Sequence, residues 1–176
     1  GLFLALFSFS SVQAESGGKI DELINEQKFA EALKLLRADI EEAKAGKDDR
    51  AWAKLIVKEA MLQVGLHGYE TAVKDLRAKP WPKDPVAHAM VSLAYARTLQ
   101  IYLQSYSWEI RKRERISKDA SFDLKTLTAD EIFIEANAGI EKAWKVRGEL
   151  GKFKKSNLPE IITPNTYPDE IRSSLR

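Results

Sequence analysis

The chain has 176 residues, enough for one domain with a substantial hydrophobic core. Its 44% apolar and 31% charged residues are typical of a soluble helical protein and argue against disorder. The net charge of +2 gives no reason to expect nucleic acid or an anionic membrane as the main partner, and the absence of cysteine excludes disulfide and thiol chemistry within this segment.

The first fourteen residues have the pattern of the later part of a secretory signal peptide. Leu2 to Phe9 form a short apolar run, and Val12-Gln13-Ala14 ends in the small-x-small pattern that signal peptidase accepts. The run is too short to span a bilayer as a stable helix, and a buried first helix is the alternative. We expect residues 1–14 to be a signal peptide truncated at its start, so the protein is predicted to be exported to the periplasm, cell envelope or extracellular space.

Two similar ten-residue stretches, QKFAEALKLL from Gln27 and HGYETAVKDL from His67, predict helices with the same apolar face. Each carries an aromatic residue, an alanine three positions later and aliphatic residues four and seven positions after the aromatic, a helical spacing. The shared positions are Phe29, Ala32, Leu33 and Leu36 in the first stretch and Tyr69, Ala72, Val73 and Leu76 in the second. Each is preceded by another predicted helix, at Lys19–Glu26 and Arg50–Val64, so the pattern predicts two helical hairpins.

A helix pair that recurs every 34–47 residues or so is typical of α-solenoid repeats. Phe29-x-x-Ala32 and Gly68-Tyr69-x-x-Ala72 resemble the centre of the tetratricopeptide repeat, over about residues 19–80, although the usual tryptophan and leucine–glycine positions of its first helix are not matched. At the same spacing, a third copy would place its aromatic residue near position 109. That position is Glu109, so the pattern is not expected to continue. We therefore expect an all-α, tetratricopeptide-like or α-solenoid fold of antiparallel helical hairpins, with an ordinary helical bundle as the alternative.

The segment Lys79–Pro85 contains three prolines and predicts a break between the hairpins and the next helix. Asp84 is expected to cap a long helix with Pro85 at its first position. That helix, or two nearly continuous ones, is predicted to reach about Ser117 and to pack on the hairpins as a cap.

A capping box at Thr128–Glu131 predicts a further helix, for which Gly151 is the expected stop. The apolar residues assigned to this helix are Ile132, Ala136, Ile140, Ala143 and Trp144. The helical domain is thus expected to cover residues 15–151, and residues 152–176 are expected to form an extended connector leading into a further domain.

The sequence offers no residue to which catalysis, metal binding or cofactor binding can be assigned. His67 and His88 are the only histidines and lack a ligand spacing, and carboxylate pairs such as Glu41-Glu42 fall on predicted exposed faces. We therefore expect a protein that is not an enzyme, has no cofactor and has no evident small-molecule substrate.

Protein contact is the predicted use of the remaining polar and aromatic signals. The run Ser107–Lys118 is rich in bases, and its function is predicted to be a helix end that pairs with neighbouring acids, with an anion or nucleic-acid patch as the alternative. A concave solenoid face would bind an extended peptide or a partner helix. The residues proposed for protein contact are Trp81, Trp108, Arg111 and Arg113.

From about residue 85 to the end, the chain resembles the N-terminal helical region of large bacterial alpha-2-macroglobulin-like proteins. The stretches that carry the resemblance are YSWEIRKRERI, DLKTLTADEIFIEANAGIEKAWKVRGELG and LPEIITPNTYPDEIRSSLR. The resemblance implies an exported protein whose later part holds the macroglobulin domains and which traps or inhibits proteases, in some members through a thioester. A thioester requires cysteine, so none can form in this segment.

Two hypotheses for the function result from these patterns. The first is a non-catalytic interaction or spacer module at the front of such a macroglobulin, whose partners are the downstream domains, proteases or envelope proteins. The second is a free-standing tetratricopeptide-like periplasmic adaptor that recognises a partner peptide or protein.

Overall fold

The computed structural model describes residues 17–114 and 122–152, and these residues form helices and turns with no strand. The helices are α1 (17–25), α2 (Phe29–Ala45), α3 (Asp49–Gly65), α4 (Tyr69–Ala78), α5 (Pro85–Ser105), α6 (Ser107–Ile110), α7 (Ala129–Lys145) and α8 (Arg147–Leu150). The predicted all-α class is confirmed. The predicted signal peptide and residues 153–176 of the predicted connector lie outside the described residues.

The first three interhelical turns have one backbone design and succeed one another at intervals of twenty residues. Their central residues, Gln27, Lys47 and His67, have φ values of 60°, 58° and 62° and are therefore in the left-handed region. In the first turn the Gln27 N–H donates to Ile24 O at 3.0 Å and the Lys28 N–H to Leu23 O at 2.8 Å, which is a Schellman motif. The same two bonds recur in the other turns, so each helix ends in the same way and the next begins two residues after the left-handed residue.

The predicted capping residues begin the two later long helices. The Asp84 carboxylate accepts the Ala87 N–H at 2.9 Å, with Pro85 at the first helical position of α5. At α7, the Thr128 N–H donates to the Glu131 carboxylate at 2.8 Å and the Glu131 N–H donates to the Thr128 hydroxyl at 3.4 Å. Both boundaries were predictable because a cap satisfies backbone donors locally, without help from the rest of the fold.

α3 and α5 lie at the centre of the helix packing. α3 contacts α2, α4 and α5, while α5 contacts α3, α4 and α7. A single apolar cluster runs through these contacts, and its members include Ile56, Val73, Leu76, Val91 and Leu99. The helices after Pro85 therefore share one core with the two hairpins that precede them.

The α5–α7 contact is the most extensive contact between two of these helices and depends on small residues. A Cβ added to Gly139 of α7 would lie 2.8 Å from Ser92 O and 3.2 Å from Ala96 Cβ of α5. Glycine at this position therefore lets the two backbones approach closely. The Ser92 hydroxyl is buried in the same region without a hydrogen-bond partner in the structure.

The long helix predicted from Pro85 to about Ser117 is shorter than expected. α5 ends at Ser105, Tyr106 leaves the helical conformation (φ −112°, ψ 22°), and α6 adds only one more turn, to Ile110. The alternative of two nearly continuous helices is thus the correct one, with an end seven residues before Ser117. The physical reason is tertiary: Arg113 turns inward to bind carbonyl groups of the connector that leads to α7.

Candidate interaction surface

The outward side of α7 carries a line of side chains at alternating spacings of three and four residues. We call this line the outer seam: Asp130, Phe133, Asn137, Ile140 and Trp144 of α7, together with Arg147, the first residue of α8. α7 itself ends at Lys145, and Arg147 is joined to the line by its hydrogen bond to Trp144 O. Residues at this spacing share one stripe of a helix. The buried residues of α7, Ile132, Ala136, Gly139 and Ala143, form a different stripe that faces α5. α7 is therefore apolar on two sides, and among the described residues only one of these sides packs against another helix.

The apolar members of the outer seam are largely accessible to solvent. Phe133 is 55% exposed, Ile140 40% and Trp144 63%, and the neighbouring Ile134 is 65% exposed. The sequence assigned Ile140 and Trp144 to the same apolar run as the buried residues, but the structure turns them outward. Large apolar side chains that cluster on one exposed helix face are typical of surfaces that contact another protein.

A shallow depression of about 460 Å³ adjoins the beginning of α7. It is lined by Ile110, Arg111, Arg113, Thr128, Ala129, Asp130, Glu131 and Ile134. Two of the residues proposed for contact, Arg111 and Arg113, thus lie beside Asp130 of the outer seam. A third, Trp108, is 76% exposed on α6, where the Lys112 ammonium lies 4.3 Å from the centre of its ring.

Arg113 holds the connector between α6 and α7 in place. Its guanidinium donates to Leu127 O at 3.0 Å, to Leu124 O at 3.2 Å and to the Glu109 carboxylate at 3.2 Å. Its side chain is only 12% exposed. Arg113 therefore contributes a fixed charge at the edge of the depression, whereas Arg111 is exposed.

Trp81 differs from the other predicted contact residues because it is half-buried. Its indole N–H donates to Leu76 O at 2.7 Å, and its ring contacts His88 and Tyr95 edge-on at 5.2 and 5.8 Å. These contacts attach the proline-rich segment to α4 and α5. The structure thus places Trp81 away from Trp108 and the arginines, in a packed environment.

A second concave region of about 370 Å³ lies between α2 and α4. It is lined by Arg37, Ile40, Glu41, Lys44, Trp52, Asp75, Lys79 and Pro80. Beside it, the Glu59 carboxylate is 2% exposed and accepts from Arg37 Nε at 2.9 Å and from Lys79 Nζ. Arg37 Nη2 also lies 3.9 Å from the Asp75 carboxylate, so two acids face the two cations. These ion pairs therefore hold α2, α3 and the end of α4 together more than they attract an anion.

The two histidines have local structural partners. His67 Nδ1 lies 2.7 Å from the Tyr69 hydroxyl, and His88 Nδ1 lies 3.1 Å from Pro82 O. Within residues 17–114 and 122–152, no group of three or more His, Asp or Glu side chains is arranged to hold a metal ion. Over the same residues, no helix is both long enough and apolar enough to cross a bilayer.

Arg77, Tyr95 and Glu135 form a polar cluster where α4, α5 and α7 meet. The Tyr95 hydroxyl donates to the Glu135 carboxylate at 3.1 Å and accepts from Arg77 at 3.3 Å, while Arg77 also binds Glu135. Burial raises the pKa of Tyr95 to about 12. The cluster links α7 to α4 and α5 beside their apolar contacts.

Sequence reasoning did not find the outer seam, although its signal is present. The apolar positions of α7 fall into two stripes, at 132, 136 and 143 and at 133, 140 and 144, and one helix packed on a single neighbour needs only one. Comparison with known proteins adds no further constraint: no protein-family model, no curated protein and no solved structure matches this chain.

Proposed function

We propose that this chain is a non-catalytic helical interaction and spacer module at the N-terminus of an exported bacterial alpha-2-macroglobulin-like protein, whose parent protein traps proteases. The observation that carries the interaction role is the outer seam of α7, with Phe133, Ile140 and Trp144 accessible on one stripe. A helix that presents a second apolar stripe is suited to bind a further helix or domain. The macroglobulin context comes from the resemblance in residues 85–176.

We further propose that the helices form a tetratricopeptide-like stack, capped by α5 and continued by an extended connector. The turns at Gln27, Lys47 and His67 repeat every twenty residues, so a hairpin repeats every forty. That period is longer than the 34 or so residues of a tetratricopeptide repeat and closer to the roughly 40–47 residues of other two-helix solenoids. Support also comes from α3, which contacts the helix before it and both helices after it.

The third hairpin of the proposed stack is α5 with α7. The buried residues of α7 lie three, seven, ten and fourteen positions after its first residue, Ala129, and the same offsets from Phe29 describe Ala32, Leu36, Asp39 and Ala43 of α2. The sequence repeat does not continue at Glu109 with the same spacing because α6 and the connector separate α7 from α5. In this arrangement α7 is the last helix of the described stack, which accounts for its uncovered face.

The macroglobulin proposal is tested by the reading frame beyond Arg176 and by the mature N-terminus. We expect several hundred further codons of β-rich sequence, and we expect N-terminal sequencing of the protein from the cell envelope to begin at Glu15. A stop codon directly after Arg176 would contradict the macroglobulin context. A protein that retains residues 1–14 and stays in the cytoplasm would contradict export.

The alternative function is a free-standing periplasmic adaptor that binds a partner peptide, and one observation favours it. The region between α2 and α4 combines the apolar side chains of Ile40, Trp52 and Pro80 with flanking charges, a composition suited to an extended peptide. Titration with a peptide library discriminates the two functions. Binding that is lost in Lys44→Glu and kept in Trp144→Glu supports the adaptor, and the reverse result supports docking through α7.

A further inference from the structure

The outer seam has the spacing of a short coiled-coil seam. Its five members on α7 succeed one another at three, four, three and four residues, as the a and d positions of a heptad do. Arg147 follows three residues later, at the start of α8. Phe133, Ile140 and Trp144 supply the apolar positions. The half-buried Asn137 stands at the single polar interior position of the seam.

The two ends of the seam carry opposite charges. Asp130 lies in the first turn of α7. At the other end, the Arg147 guanidinium lies 4.8 Å from the centre of the Trp144 ring and donates to Trp144 O at 3.0 Å, which holds its positive charge at the seam. Starting from either end, the seam therefore has a charged residue, then an aromatic residue, then the central pair, then a second aromatic residue and finally a residue of the opposite charge.

This order is self-complementary when two copies of the seam are antiparallel. Asp130 then faces Arg147 of the second copy, Phe133 faces Trp144 of the second copy, and Asn137 faces Ile140 of the second copy. A parallel pairing would place Asp130 against Asp130 and Arg147 against Arg147, which is unfavourable. Charge complementarity thus selects one orientation and one register.

We propose that α7 forms an antiparallel, two-fold symmetric contact with α7 of a second copy of this chain through the outer seam. The proposal rests on the proposed role of the seam in protein contact and names the partner. An isologous contact of this kind uses the same patch on both subunits and closes as a dimer. A single helix pair is at the low end of interface sizes, near 1,000 Å², so the dimer is expected to be weak and reversible.

Sedimentation equilibrium of the full chain over a concentration series tests the proposal. We expect a monomer–dimer equilibrium that Trp144→Glu abolishes. Leu66→Glu is the matched control because Leu66 is also an accessible apolar residue, 39% exposed, but lies at the end of α3. A wild-type chain that stays monomeric throughout, or a Trp144→Glu chain that dimerises like wild type, would overturn the proposal.

A charge swap tests orientation and register. Asp130→Arg and Arg147→Asp alone should each raise the dissociation constant about tenfold, because the pair occurs twice in a symmetric dimer and each single variant brings like charges together. The double variant should return to within a few-fold of wild type, because both pairs are restored with reversed sign. If the double variant is weaker than either single one, the antiparallel register is wrong.

The failure of this proposal differs from the failure of the proposed function. Suppose that the chain is monomeric but the amides of α7 become protected from hydrogen exchange when the seam binds downstream sequence of a longer chain. The proposal that the partner is a second copy would then be wrong, while the docking role of the seam would stand. If Trp144→Glu changes neither self-association nor any such protection, the docking role fails as well.

Discussion

At the scale of single residues, Gly139 marks the closest approach of α5 and α7. Gly139→Ala should lower the free energy of unfolding by about 1–3 kcal/mol, because the new Cβ would lie 2.8 Å from the backbone oxygen of Ser92 and force the helices apart. This loss should exceed the gain in helix propensity, which is about 1 kcal/mol. Urea denaturation measures the change. The control is Gly148→Ala, where a Cβ meets nothing within 4 Å and no loss is expected.

Lys47 has a left-handed backbone conformation that is unfavourable for a residue with a side chain. Its φ of 58° suits glycine, so Lys47→Gly should raise the free energy of unfolding by about 0.5–1 kcal/mol, the relieved strain being partly offset by the entropy of glycine. Lys47→Ala is the control, since it removes the same charge but keeps a Cβ. Equal thermal stability of the two variants would contradict the role assigned to the left-handed backbone.

The pKa of Tyr95 gives a prediction for alkaline conditions. Because burial raises this pKa to about 12 in the folded protein, the folded state keeps the proton that the unfolded state loses near pH 10. The contribution of Tyr95 to stability is therefore complete below pH 10 and is lost as the pH rises towards 12, at a cost of about 2 kcal/mol. Tyr95→Phe should be less stable at neutral pH but should lose less stability over this range in urea denaturation.

Residue-level features were predictable where they are local. Asp84 and the Thr128–Glu131 box act within one turn, and the sequence identified both. The left-handed residues Gln27, Lys47 and His67 escaped prediction, because the usual marker of this position is glycine and none of the three is glycine.

At the scale of elements, the connector between α6 and α7 depends on Arg113. Arg113→Lys should raise hydrogen exchange at amides 124–128 at least about tenfold, because one ammonium cannot replace a guanidinium that binds two carbonyl groups and a carboxylate. The amides in the middle of α5 should be unaffected. Arg111→Lys is the matched control on the exposed side of the same turn, and an equal effect of both variants would contradict the anchoring role.

The same element shows why helix limits were harder to predict than helix existence. Between Pro85 and Ser117 no proline or glycine interrupts the sequence, so periodicity alone extends the helix past Ser105. Beyond α6, Arg113 donates to the carbonyl groups of Leu124 and Leu127, a contact across the connector that no local pattern reveals. The outer seam was not predicted for a related reason. The sequence shows two apolar stripes on α7 without showing which one α5 covers.

At the scale of the whole molecule, the two hairpins before Pro85 share part of their core with the helices that follow. Ile56 of α3 and Val73 and Leu76 of α4 belong to the same buried cluster as residues of α5. The Asp49 carboxylate also accepts the backbone N–H groups of Lys83 and Asp84, which joins the start of α3 to the segment that leads into α5. The later helices thus complete the packing of the earlier ones.

A chain cut after Lys83 should therefore be unstable. Residues 15–83 would expose the faces of α3 and α4 that α5 covers, and a single core of fewer than about 70–80 residues rarely supplies more than about 3–5 kcal/mol even when it is intact. We expect circular dichroism of this fragment to show partial helix that melts gradually, beside a cooperative transition for the longer chain 15–152. A sharp melt of the fragment alone would mean that the hairpins fold independently, and the stack would then be modular instead of a single cooperative unit.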